Sequence, residues 1–294
     1  MAEPRAPGAI YDLGYQSYTG PRRGRAYVIR SLVSYSFASA FGAGRSDQAK
    51  SLPSLIVATV YMLAIVQVSM ASATGMVGLI RYAWFLQFSA FLIALFAASQ
   101  APELIVADKQ QGVLSLYLSR PLKASDYAVA KLLALVAAML VVTLGPQLVL
   151  FTGRVVLDAS PWTTFRAEWT KLFPIVGGTL LTSVFVASIA LLLASFAARR
   201  GYASAAVIAF FLLTPAVIEL LRAVTSGAVK RYSVLVHPIY LISGFANWLF
   251  DIEAKRRTVI GRADLPGAVY FDVMLAVSTV CIVAFVRRYR RLEA

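Results

Sequence analysis

The side chains able to do chemistry are few and scattered. The chain has one histidine, His237, and one cysteine, Cys281. Neither a histidine-based metal cluster nor a His/Asp dyad with a second imidazole can be assembled from them. Cys281 lies inside an apolar run, where it serves as a small apolar filler, and a lone cysteine makes no intramolecular disulfide. His237 precedes Pro238 in an aromatic string and reads as a structural or interfacial residue. A phosphate-cradling loop needs spaced glycines ending in Lys-Ser or Lys-Thr. The nearest string, Gly42-Ala43-Gly44-Arg45-Ser46, has neither the spacing nor the lysine, so this chain does not bind ATP in that way. No catalytic residue, no metal site and no cofactor of its own is expected.

What stands out instead is a polar island, DKQQGVLSLYLSRPLKASDYAVAK, from Asp108 to Lys131 between two long apolar runs. Leu114, Leu116, Tyr117 and Leu118 make an apolar ridge on a segment that also carries Lys109, Arg120, Lys123 and Lys131, and Arg120-Pro121-Leu122 stops it. That pattern predicts a short helix lying at a membrane surface and docking on a partner.

Polar groups within the apolar runs are the other candidates, because ionisable groups at membrane depth default to function. They are Gln67, Gln87, Glu103, Glu219, Arg222 and Asp272. Glu219 and Arg222 are three apart on one helix face and can neutralise each other, as a structural pair or a substrate site. Glu103 and Asp272 fall close to span ends, so no acid is centred in the membrane as a proton-coupled carrier would want. Phe85, Phe88 and Phe91 recur every three residues with Gln87 alongside. They serve either helix packing and lipid contact or, for Gln87, Phe88 and Phe91, the wall of a translocation path for amphipathic compounds.

The elements that must position these groups are membrane helices. The composition is 59% hydrophobic and 14% charged, with a mean hydropathy of +0.72, far from the balance of a soluble domain. Runs long enough to span, roughly 20 residues, occur at 52–73, 82–106, 132–151, 172–198, 202–224 and 267–286. They are continuous rather than alternating, which excludes a barrel. The fold class is therefore an all-α integral membrane protein with six transmembrane helices, organised as an N-terminal segment 1–50 and a membrane domain 51–294. Residues 25–41 place Val28, Leu32, Val33, Tyr35, Phe37 and Phe41 against Arg25, Arg30 and Ser34, which fits an interfacial amphipathic helix or a frayed segment with chance periodicity. Residues 225–266 are read as short helices dipping into the outer leaflet, a re-entrant pair being costlier.

Basic residues near span ends are retained in the cytoplasm. Arg199-Arg200, the tail Arg287-Arg288-Tyr289-Arg290-Arg291, the island and the N-terminal arginines then put both termini inside a plasma membrane, against an outer cluster at Lys255, Arg256, Arg257 and Arg262. No signal peptide precedes the first run. The net charge of +14 is strung along membrane borders, which points to anionic lipids and not to nucleic acid.

The stretch Ala101 to Lys131 resembles the inner loop of ABC-2 type transporter permeases. The matching residues are the acidic-basic pair Asp108-Lys109, the Gly112-Val113-Leu114 that follows, Arg120-Pro121-Leu122, the pair Asp126-Tyr127, and Lys131 opening the third span. Asp108 stands where the family usually has glutamate. The string HPIYLISGFANWLF is similar to the family's segment before the last span, and the DLGYQSYTGPRRGR opening resembles that of actinobacterial members. The resemblance implies a type V exporter-like half-transporter that is not itself an enzyme. Its partners would be two copies of an ABC ATPase subunit, which bind ATP and magnesium, and a second permease chain, identical or related. It further implies a cytoplasmic coupling helix on which the ATPase docks through Gly112, Leu114, Tyr117, Leu118, Arg120, Pro121 and Lys123. The different-class alternative is an ATP-independent secondary carrier or a membrane-embedded enzyme.

Overall fold

A computed structural model of the chain describes residues 24–44, 47–112, 122–254 and 257–291. All regular elements among these are helices. In chain order they are α1 (Arg25–Ala40), α2 (Asp47–Thr74), α3 (Tyr82–Gln110), α4 (Ala124–Val156), α5 (Pro161–Glu168), α6 (Leu172–Phe196), α7 (Arg200–Val224), α8 (Gly227–Tyr232), α9 (Pro238–Leu249), α10 (Val259–Ala263) and α11 (Gly267–Arg290). Six helices are long and apolar enough to cross a membrane: α2, α3, α4, α6 continued from α5 through the turn Trp169–Lys171, α7 and α11. Membrane depth offers the backbone no other partner, so each span keeps its hydrogen bonds internal.

The spans divide by burial. Of the apolar stretch of α3, α4 and the α5–α6 rod, 72%, 61% and 67% is buried, against 22%, 17% and 22% for α2, α7 and α11. Three helices thus form a core that three others flank. Packing between them relies on small residues, as expected where lipid removes the hydrophobic drive between helices. Gly145 of α4 lets the Tyr61 ring of α2 lie against the backbone, where its hydroxyl donates to the Val141 carbonyl at 2.9 Å. One side of the bundle carries the connections 75–81 and 157–160, the start of the α5–α6 rod and α8 to α10; α1, the feet of α3 and α4, the α6–α7 turn and the end of α11 lie on the other.

Two expectations shift. The third span begins at Ala124 and not near 132, because Tyr127 and Lys131 are buried among neighbouring helices rather than solvated in a loop. In α1 the buried stripe is Leu32, Ser36 and Ala40, which packs chiefly against α4, while Tyr35 is 64% exposed. The described residues of 225–266 include α8, α9 and α10, and α9 packs on α11 and α3.

Candidate functional site

The island's two ends meet at the foot of the bundle. Asp108, in the last turn of α3, accepts from the Lys131 ammonium at 2.8 Å and from the Tyr127 hydroxyl at 2.8 Å. Lys131 is 2% exposed and its Nζ also lies 5.3 Å from the Tyr127 ring centroid. An acid at a helix C-terminus works against the macrodipole, so the two donors from α4 are what make this position tenable. Tyr127 in turn packs on Tyr289 of α11, ring centroids 5.4 Å apart.

Around this pair the other feet are tied in. Lys109 Nζ donates to the Ser195 carbonyl at the end of α6 at 2.6 Å, and Arg288 Nε reaches the same carbonyl at 3.1 Å. Glu103 of α3 takes Arg200 of α7 at 3.0 Å. Asp126, in the first turn of α4 where a carboxylate suits the dipole, accepts from the Lys123 backbone at 3.1 Å and from Arg25 in a fork of 2.8 and 2.7 Å. That hydrogen bond, with the carboxylate's charge, raises the Arg25 pKa further. Five spans and α1 are therefore joined through charged or hydrogen-bonded side chains within one layer.

The inner-loop residues Asp108, Lys109, Asp126, Tyr127 and Lys131 are thus brought together. Of the docking residues, Gly112 caps the turn after α3 at φ +65°, and Lys123 precedes α4. Leu114, Tyr117, Leu118, Arg120 and Pro121 lie outside the described residues. Gln87, Phe88 and Phe91 lie within one arc of α3 and differ in what they meet. Gln87 donates to Asn247 Oδ1 of α9 at 2.8 Å, while Phe88, and Phe91 one turn on from Gln87, are 54% and 41% exposed. Phe88 stacks on Trp84 at 5.0 Å and lines a cavity of about 430 Å³ with Leu63, Gln67, Met70 and Arg81, between α2 and α3.

At the opposite side, Glu219 and Arg222 do approach, at 3.8 Å. His237 caps α9, its Nδ1 accepting from the Tyr240 amide at 3.2 Å. Burial lowers its pKa to about 4, leaving the imidazole neutral, and burial with the neighbouring Glu219 pushes Tyr240 up to about 12. The sequence reading missed Glu168, which is 8% exposed and takes Arg154 at 2.6 Å, Lys171 at 3.0 Å and the Tyr82 hydroxyl at 3.3 Å. The only sequence signal was an arginine in the last turn of the third span with an acid across the following turn.

The family model for ABC-2 family transporter proteins matches residues 22–293. No curated protein matches the chain. Since the match runs over nearly its whole length, the chain belongs to the ABC-2 transporter family and is a multi-pass membrane permease.

Proposed function

We propose that this permease is the membrane half of an ATP-driven exporter, worked by a separate ATPase subunit that docks on the stretch between α3 and α4. The observation that carries the reading is the buried Asp108–Lys131 contact. It clamps together the two helices from which the docking segment departs, so a push on that segment is delivered to the core helices α3 and α4 rather than absorbed by a loose loop. Gly112, Leu114, Tyr117, Leu118, Arg120, Pro121 and Lys123 form the docking surface, the apolar members as anchors and the cations at the rim. Two ATPase copies, each holding ATP and magnesium, act on two permease chains. Their closure turns the permeases as rigid bodies between inward and outward openings. Both termini face the cytoplasm.

The cargo is amphipathic or hydrophobic. The α2–α3 cavity has that character, since Trp84, Phe85 and Phe88 offer apolar surface while Gln67 and Arg81 supply a polar corner.

The purified chain alone hydrolyses no ATP, and co-expression with its ATPase yields a stable complex. Leu118→Glu or Arg120→Glu releases the ATPase and abolishes transport in vesicles. A complex that forms undiminished with either variant would overturn the docking assignment.

A further inference from the structure

A cavity of about 790 Å³ opens at the foot of the bundle between α3, α6 and α11, lined by Lys109, Phe196, Ala284, Arg287, Arg288, Tyr289 and Arg291. Four of these residues are cations and none is an acid. Asp108, behind the packed Tyr127 and Tyr289 rings, is already held by Lys131 and Tyr127. Arg287 and Arg291 have no acidic partner among the described residues; Glu293, the next acid along the chain, lies outside them. Like charges gathered this closely repel unless an anion sits among them.

The cleft also has an apolar side. Phe196 is 63% exposed, with the Arg288 guanidinium 4.2 Å from its ring centroid. On α11, Val280, Ala284, Arg287 and Arg291 fall at intervals of four, three and four, so one face of the helix runs from apolar to cationic as it leaves the spanning region. Val280, at 67% exposed, continues that face into the bilayer. A free inorganic anion or an acidic peptide would satisfy the cations and leave the apolar stripe without a partner. A molecule with an anionic head and an acyl tail satisfies both.

We infer that this cleft binds an anionic phospholipid, the phosphate among Lys109, Arg287, Arg288 and Arg291 and one acyl chain along Phe196, Ala284 and Val280. Among the described residues no docking residue lines the cleft, and the binding chemistry is independent of which side of the membrane it faces.

The test is native mass spectrometry of the purified full-length chain, titrated with phosphatidylglycerol or phosphatidylcholine. The wild-type chain retains phosphatidylglycerol in preference. Arg287→Gln with Arg291→Gln lowers that affinity about 25-fold, at roughly fivefold per removed charge, and leaves phosphatidylcholine retention unchanged. Arg287→Lys with Arg291→Lys keeps the preference, which serves if the glutamine pair does not fold. Arg262→Gln, on the opposite side, changes nothing. Equal retention of the two lipids by the wild-type chain overturns the site, and so does a folded glutamine pair that binds phosphatidylglycerol as before. Displacement of bound lipid by millimolar inorganic phosphate would reassign it to a free anion. Loss of the ATPase from the glutamine pair with lipid retention intact would reassign it to an acidic protein surface.

Discussion

Two ion pairs flank the docking segment, and their worth differs with burial. Arg25 and Asp126 make a bidentate fork, yet Arg25 is 48% exposed, so water and salt screen the pair and it adds little stability. Asp108 and Lys131 are 14% and 2% exposed. There the cost of desolvating two charges is met by their mutual attraction and by the Tyr127 hydroxyl. Removing one partner strands the other. Lys131→Met leaves an uncompensated carboxylate and Asp108→Asn a buried ammonium, each expected to cost roughly 3–5 kcal/mol. The double variant Asp108→Asn with Lys131→Met removes both charges and keeps an acceptor for Tyr127, so it should recover most of that loss. Thermal unfolding of the purified variants reads this directly. Additive losses in the double variant would show that the two charges do not act on each other.

Among the elements, α9 is held by close approaches at glycine: Gly244 meets Tyr270 of α11, Trp248 lies on Gly267 and Leu249 on Gly178 of α6. A Cβ on Gly244 would run into the Tyr270 ring of α11, and that ring is 1% exposed and has no room to withdraw. Gly244→Val should therefore cost roughly 1–3 kcal/mol by overpacking and detach α9 from α11. Gly201, at the start of α7, has nothing within 4 Å of an added Cβ, so Gly201→Ala is expected to be neutral or slightly stabilising. Comparing the two melting temperatures separates close packing from a general intolerance of side chains at glycine. The long spans were legible from sequence because an apolar run of membrane length has few other uses. The start of α4 was not, since Asp126 and Lys131 look like loop residues until α1 and α3 supply their partners. Arg25 and Asp126 are 101 residues apart, and no spacing rule reaches that far. Glu168 was hidden for a related reason. It meets Arg154 only because the rod of α5 and α6 turns back against the end of α4. The partner of Gln87 was hidden in the same way, since Asn247 lies 160 residues further along, on α9.

At the scale of the whole molecule the charge distribution argues for an orientation. On the side carrying α8 to α10, Arg154 and Lys171 share Glu168 and Arg222 approaches Glu219, while Lys230, Arg231, Arg257 and Arg262 have no acid within ion-pair reach among the described residues but sit in the long stretch 225–266, which the short-loop rule weighs least. On the side carrying α1, Arg199, Arg287, Arg290 and Arg291 have no acid within ion-pair reach among the described residues. Uncompensated cations in the short α6–α7 turn and the tail are the ones that resist translocation. That side is thus expected to be cytoplasmic, which is also where an ATPase has access to ATP. The lone cysteine makes the test clean. In a Cys281→Ala background, Ser34→Cys on the exposed face of α1 and Ser160→Cys in the α4–α5 turn each give one accessible thiol. A membrane-impermeant maleimide should label the Ser160→Cys chain on intact cells and the Ser34→Cys chain only after lysis. The reverse pattern would turn the molecule over, move the docking segment outside, and leave no route by which ATP hydrolysis could drive it.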